Sequence, residues 1–268
     1  MQIQTINFDR NGMYRCTYKR ELWVREHIHQ CTEIIYVIEG ELSITVDGES
    51  RVLGAGEAAL IPPFVSHKFD RSPNLLLWLC VFSNDLLADF LPRDGLYRKR
   101  SSAYFRISDR LAAFLSGALP DSSEEMVPFD YTERRKIMTL LFPIVNEYME
   151  STRPQDDIKH KHSLLSDILL YLDEHYAEPL TINDVARALG YTPRHISRQL
   201  SLLSSYNFRS LLNNFRIEHS KVMIRQSDAK LIDIAMNCGF VSERTFFRAF
   251  TASEGMTPKE YKKSVSRH

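Results

Sequence analysis

Short apolar runs broken by turn residues fill the first third of the chain. Ile34-Ile35-Tyr36-Val37-Ile38 stops at Glu39-Gly40, and Leu42-Ser43-Ile44-Thr45-Val46 stops at Asp47-Gly48. Both residues of an Asp-Gly pair tolerate positive φ, so this pair predicts a two-residue hairpin between strands. Ala58-Ala59-Leu60-Ile61 stops at Pro62-Pro63. Residues 75–82 form an unbroken apolar run, which predicts a strand covered on both faces. Strands at such near-regular spacing predict a small β-sandwich or barrel of the jelly-roll kind.

The period changes from about residue 105. Ile137, Leu140, Leu141, Ile144, Val145 and Tyr148 recur at helical spacing and predict a helix over 131–149, with Pro143 as an expected kink. A shorter helix is expected over 111–118. Residues 153–162 are polar, contain Pro154 and read as a linker. Helical signals then continue to the C-terminus. The expected organisation is an α+β multidomain chain. A β-barrel covers 1–104, accessory or dimerisation helices that pack on the barrel or pair with a second subunit cover 105–152, a linker 153–162 and an all-α domain 163–268.

Two stretches of the helical part share one logic. In the first, Thr181 stands as an N-cap with Asp184 three residues on, and Val185, Ala186 and Leu189 make an apolar face. Gly190 ends that helix, and Thr192 with Pro193 opens the next. In the second, Ile232, Ile234 and Ala235 supply the face, Gly239 the turn and Ser242 the next cap. Phe246, Phe247 and Phe250 anchor the following helix. Helix, tight glycine turn, helix is the helix-turn-helix pattern, here in tandem and joined by a helix over 208–224.

These residues carry a resemblance. Ile182 to Gly190 reads I-x-x-V-A-x-x-L-G. Arg216-Ile217 and Met223-Ile224 stand in the joining helix. Ile234-Ala235-x-x-x-Gly239-Phe240-x-Ser242-x-x-x-Phe246-x-Arg248-x-Phe250 is followed by Gly255-Met256-Thr257-Pro258-x-x-Tyr261. Residues 164–263 thereby resemble the DNA-binding domain of AraC/XylS-type bacterial transcription regulators. Leu200, Ser205 and Ser220 depart from the usual Phe, Gly and Ala. The resemblance implies that the second helix of each unit lies in a major groove, the two units about one helical turn, ~34 Å, apart. Arg194, Ser197 and Arg198 would face DNA in the first unit, and Glu243, Arg244 and Arg248 in the second. Arg can read guanine bidentately, while Glu243 either accepts from cytosine or orients Arg244. Ser242 and Thr245 would reach phosphates. The expected partners are double-stranded DNA, RNA polymerase and a second copy of the chain.

The barrel half has its own constellation. His27, His29 and Glu33 would share one face of an extended chain, where side chains repeat every second residue. His67 follows the Pro62-Pro63 stop. Three imidazoles and a carboxylate suit an octahedral divalent metal. The spacings H-x-H-x3-E-x6-G and G-x5-P-x4-H resemble the two cupin motifs, although Phe64 and Arg71 replace the Gly and Asn usual in enzymatic cupins. A cupin ahead of a tandem helix-turn-helix domain implies a sensor for a small effector, such as a sugar or another carbon source. Three readings of His27, His29, Glu33 and His67 stand side by side. They line a metal-free effector pocket, hold a divalent metal that assists the effector, or serve as structural polar residues at the barrel mouth. No cofactor is required by the first and third. Trp23, Arg25, Tyr36 and Trp78 are candidate pocket walls, with core burial as the alternative for Trp78.

Charge first argues against nucleic acid. Lys plus Arg and Asp plus Glu both number 34, a net charge of zero. The sum hides an asymmetry: residues 1–163 carry 20 basic and 23 acidic side chains, residues 164–268 carry 14 and 11. Even that +3 is modest for a DNA binder, so specificity is expected from base contacts more than from bulk charge. Cys16, Cys31, Cys80 and Cys238 are scattered without a C-x-x-C pair, as befits reduced thiols. No signal-peptide pattern opens the chain, and no apolar run reaches membrane-spanning length. The expectation is a cytoplasmic transcription regulator, more an activator than a repressor, and not an enzyme. Its rivals are a metal-dependent cupin enzyme with a DNA-binding tail, and a constitutive regulator whose cupin only dimerises.

Overall fold

The computed structural model describes residues 6–7, 13–83, 86, 100–120, 127–128, 131–154, 163–201, 203 and 207–265. The chain divides into two compact units between Ser166 and Asp167. Most of the expected linker, 155–162, lies outside the described residues.

The N-terminal unit is built of two sheets. One has the order β1-β3-β8-β5-β6, made of β1 (Ile6–Asn7), β3 (Val24–His29), β8 (His67–Phe69), β5 (Glu41–Val46) and β6 (Glu49–Gly54). The other has the order β10-β7-β4-β9-β2-β11, made of β10 (Tyr104–Arg106), β7 (Glu57–Ile61), β4 (Thr32–Glu39), β9 (Leu76–Phe82), β2 (Met13–Lys19) and β11 (Val127–Pro128). Among the described residues all strand pairings are antiparallel except the short β1·β3 pair. The β5–β6 hairpin turns on Asp47 (φ 50°) and Gly48 (φ 82°), the two positive-φ residues the sequence pattern requires.

Strand alternation sorts the core into two layers. Ile35, Val37, Leu77, Leu79, Val81, Ala59 and Ile61 point between the sheets and meet Leu42, Ile44, Val46 and Phe69. The opposite face of the six-stranded sheet presents Ile34, Tyr36, Trp78, Cys80, Phe82 and Cys16. Two helices cover it: α1 (Asp109–Leu115) through Leu111 and Leu115, and α2 (Tyr131–Ser151) through Ile137, Leu141, Ile144 and Tyr148. The accessory helices therefore pack on the barrel. Helix α2 continues through Pro143 to Ser151. Its C-terminal carbonyls are gathered by Arg100, which donates to Met149 O (2.7 Å), to Thr152 Oγ1 (2.6 Å) and to Thr152 O. Arg153 and Pro154, the start of the expected linker, pair with Ser101 and Arg100 and so belong to this unit.

The second unit is all helix: α3 (Leu164–His175), α4 (Ile182–Leu189), α5 (Pro193–Leu200), α6 (Phe208–Gln226), α7 (Leu231–Asn237), α8 (Glu243–Glu254) and α9 (Pro258–Val265). Thr181 and Asp184 form a reciprocal capping box at the start of α4, and Thr192 Oγ1 accepts from His195 N ahead of Pro193. Gly190 (φ 76°) and Gly239 (φ 81°) make the two turns. Ile217, Ile234, Ala235, Phe240, Phe246, Phe250 and Tyr261 form the core of the second helix pair. Ser220, fully buried where Ala is usual, satisfies its hydroxyl on Ile217 O at 2.7 Å. Among the described residues no helix is long and apolar enough to cross a membrane.

Candidate functional site

The two sheets bring His27, His29, Glu33 and His67 together, but not along one extended face. The chain turns at Gln30-Cys31 and passes from the first sheet to the second. His27 and His29 come from β3 and His67 from the paired strand β8, whereas Glu33 reaches in from β4. The expectation of a shared strand face is corrected accordingly. One ligand atom from each of the four lies within 4.8 Å of the others. The rings of His27 and His67 are 4.1 Å apart, and those of His29 and His67 4.8 Å. His29, Glu33 and His67 are buried, and His27 is partly open.

Each imidazole is held the same way. Nδ1 of His27 lies 3.0 Å from Arg25 O, Nδ1 of His29 2.8 Å from Cys31 O, and Nδ1 of His67 2.9 Å from Val65 O. A carbonyl oxygen only accepts, so each Nδ1 must carry the proton. In the neutral tautomer each Nε2 then offers a lone pair. Fixing Nδ1–H on a carbonyl and freeing Nε2 is how a protein prepares histidine for a metal. Glu33 Oε2 sits 2.8 Å from His29 Nε2 and 3.3 Å from His67 Nε2, and His67 Nε2 is buried without a hydrogen-bond partner. Burial alone would raise the Glu33 carboxyl, but the imidazoles of His29 and His67 outweigh it and hold it well below the usual carboxylate range. Burial and the neighbouring His67 push His27 down to about 4, which favours its neutral, ligating form. A carboxylate against an Nε2 lone pair is repulsive. The cluster therefore calls for a positive charge, either a proton on His29 or a divalent cation taken by all four groups.

The expected pocket walls separate. Tyr36 and Trp78 face each other across β4 and β9 on the helix-covered side of the sheet. Trp78 is fully buried and donates to Pro120 O at 2.9 Å. Neither lines the barrel interior, because each has opposite parity to Glu33 along its strand or cross-strand partner. Trp23 is 60% exposed, with the Arg25 guanidinium 5.5 Å from its ring centre. A bulge in β3 places both Val24 and His27 opposite β8 and leaves Arg25 exposed. Spacing did not reveal the three carbonyl partners, since every residue has one. Phe64 stands where the cupin motif has a glycine. It holds φ 59° with its ring buried, and its N–H donates to His29 O at 2.8 Å.

In the helical unit, Arg194, Ser197 and Arg198 are exposed on α5, where Ile196 and Leu200 point inward. Glu243, Arg244 and Arg248 are exposed on α8, where Phe246 and Phe250 point inward. Arg194/Arg198 and Arg244/Arg248 are each one helical turn apart, so each pair shares a face. Among the described residues none of these four arginines makes an ion pair. Ser242 Oγ accepts from Thr245 N at 3.2 Å and bonds Thr245 Oγ1 at 2.9 Å, so both hydroxyls are engaged in capping α8. Both are half-buried.

Residues 16–82 match the cupin domain family, and residues 185–264 match a helix-turn-helix domain family. The chain thus carries a cupin domain followed by a helix-turn-helix domain. The HTH-type transcriptional regulator YijO of Escherichia coli is 28% identical over 158 residues, 59% of this chain and 54% of its own length. An HTH-type transcriptional regulator of Staphylococcus aureus is 27% identical over 235 residues, 85% of this chain and 31% of its own length. The chain thus spans about half or less of the length of these curated relatives. The crystal structure of unsaturated fatty acid-bound ToxT from Vibrio cholerae aligns with a TM-score of 0.42 at 15% identity, over 95% of this chain and 96% of that one.

Proposed function

We propose that this chain is a cytoplasmic, sequence-specific DNA-binding transcription regulator whose cupin domain senses a small effector. The observation that carries the reading is the pair of exposed, unpaired arginine couples, Arg194/Arg198 and Arg244/Arg248. They stand in the same register of two helices that follow glycine turns. Each couple is free to contact base edges and phosphates, and Ser197 and Glu243 flank them on the same surfaces. The capped N-terminus of α8, with Ser242 and Thr245, adds backbone N–H groups suited to a phosphate. A homodimer would occupy two half-sites and meet RNA polymerase as an activator.

The sensing site in this reading is His27, His29, Glu33 and His67 with a divalent first-row cation. The donor set fits: one carboxylate and three neutral Nε2 groups, of which that of His67 is buried and unsatisfied. When bound, the ion would supply a Lewis-acidic centre for an oxygen-bearing effector such as a sugar or another carbon source. The residues of this chain orient the donors through their backbone carbonyls and keep one side open at His27. Stacking of a free sugar on Trp78 or Tyr36 is not part of the reading, since both lie on the other face of the sheet.

Fluorescence anisotropy against genomic fragments tests the DNA half. Salt-sensitive binding that selects among fragments is expected, and equal affinity for every sequence would overturn it. Elemental analysis tests the site: one equivalent of divalent metal in the intact chain, lost in Glu33→Gln and in His29→Ala. A metal-free protein that still shifts its melting point with a carbon source would return the site to a metal-free pocket. Turnover of such a compound by the metal-loaded chain would favour the enzyme alternative.

A further inference from the structure

Cys16 and Cys80 are 64 residues apart in sequence and directly opposite in the sheet. They form one rung of the antiparallel β2·β9 ladder. Their sulfurs lie 2.9 Å apart, and both residues are fully buried and outside any disulfide. Residues opposite each other in an antiparallel pair have Cα atoms about 4.5–5.5 Å apart, inside the range a disulfide accepts. We propose that this rung is an oxidisable dithiol, converted by a peroxide into an intramolecular Cys16–Cys80 disulfide. The cross-link would tie β2 to β9, whose other neighbour β4 carries Glu33 on the residue next to Ile34, the β4 partner of Cys80.

The location selects the oxidant. The pair lies in the layer covered by Leu141 and Ile144 of α2. Burial and the adjoining Cys16 thiol hold the Cys80 thiol up, well above its usual range, and full burial keeps both sulfurs from oxidants while the cover is closed. Local opening admits a molecule the size of hydrogen peroxide, whereas a glutathionyl adduct would not fit beneath the helix. One thiolate attacks the O–O bond, giving a sulfenic acid and hydroxide. The second thiol then displaces the sulfenic oxygen as water and closes the S–S bond. Two thiols lose two electrons and two protons, and one peroxide becomes two waters. Cys31 packs between the sheets and Cys238 lies 3.7 Å from Met223 Sδ in the other unit, so neither competes for either partner.

The test uses the intact reduced chain, freed of metal with EDTA and exposed to hydrogen peroxide. After catalase quenching, the chain is denatured, alkylated and weighed. The expected result is two alkylatable thiols in place of four, a loss of two hydrogens, and one cross-linked peptide joining Cys16 to Cys80, all reversed by dithiothreitol. Cys16→Ser and Cys80→Ser should each abolish the cross-linked peptide. Because the peptide map is read on the wild-type chain, a variant that folds poorly does not decide the matter. Four alkylatable thiols after exposure, added oxygen on Cys80 without a bridge, or a bridge to Cys31, Cys238 or a second chain would each overturn the proposal.

Discussion

Phe64 holds a left-handed backbone conformation that glycine adopts without strain, and its fully buried ring is the counterweight. An L-residue pays roughly 1–2 kcal/mol for that conformation. Removing a buried Phe costs about 3–5 kcal/mol. Restoring the motif glycine with Phe64→Gly should therefore lower stability by about 1–4 kcal/mol, measured by urea denaturation; a stabilised variant would show that backbone strain dominates there. The two turn glycines make a sharper comparison. A Cβ on Gly190 would meet nothing within 4 Å, while one on Gly239 would sit 2.5 Å from the Ala177 carbonyl oxygen. Gly190→Ala should cost only the left-handed conformation, about 1 kcal/mol. Gly239→Ala adds a backbone clash and should cost about 2–4 kcal/mol in the same measurement. The sequence marks both glycines as turns with equal clarity. It is silent on the difference, which depends on the chain that follows α3 packing against the second turn only.

At the scale of elements, Arg100 ends helix α2 with a planar fork. Its guanidinium satisfies carbonyls of Met149 and Thr152 and lies 5.6 Å from the centre of the Tyr148 ring. Lysine keeps the charge and loses the fork, so Arg100→Lys should destabilise the barrel unit by about 1–2 kcal/mol and raise hydrogen exchange in the last turn of α2. Unchanged exchange there would mean that the helix end is held by packing alone. Elements whose cause is local were legible in the sequence: the Asp47-Gly48 hairpin, the caps at Thr181, Thr192 and Ser242, and the helices between them. Junctions were not. No Gly, Pro or Asn marks the Gln30-Cys31 turn, so the step that lifts Glu33 onto the second sheet left no signal. The place of Tyr36 is legible, because a three-residue offset from Glu33 along one strand puts it on the opposite face. The Cys16–Cys80 rung depends on register between distant strands, which spacing does not encode.

For the whole molecule, zero net charge is the sum of an acidic N-terminal and a basic C-terminal part, and the excess of three positive charges in the latter is small. DNA affinity should then depend on a few placed side chains. Replacing Arg248 with Ala should weaken specific binding by about 1–3 kcal/mol and relax sequence preference at one base position, with helical content by circular dichroism unchanged. Loss of binding without loss of sequence preference would reassign Arg248 to a phosphate. The division into two units also predicts how metal acts on the chain. Both tryptophans, Trp23 and Trp78, lie in the barrel unit, and all seven helices from α3 to α9 begin after the linker, so fluorescence and far-ultraviolet circular dichroism report largely on different units. A ligand that binds only the folded state stabilises it by about 2.7 kcal/mol when present at 100 times its dissociation constant. Stripping a divalent ion from His27, His29, Glu33 and His67 with EDTA should lower the tryptophan-monitored melting transition by several degrees. The helical transition should stay in place, and Glu33→Gln should melt at the stripped temperature with or without EDTA. If chelation moves neither transition in the wild-type chain, the cluster is held by a proton on His29 rather than by a metal.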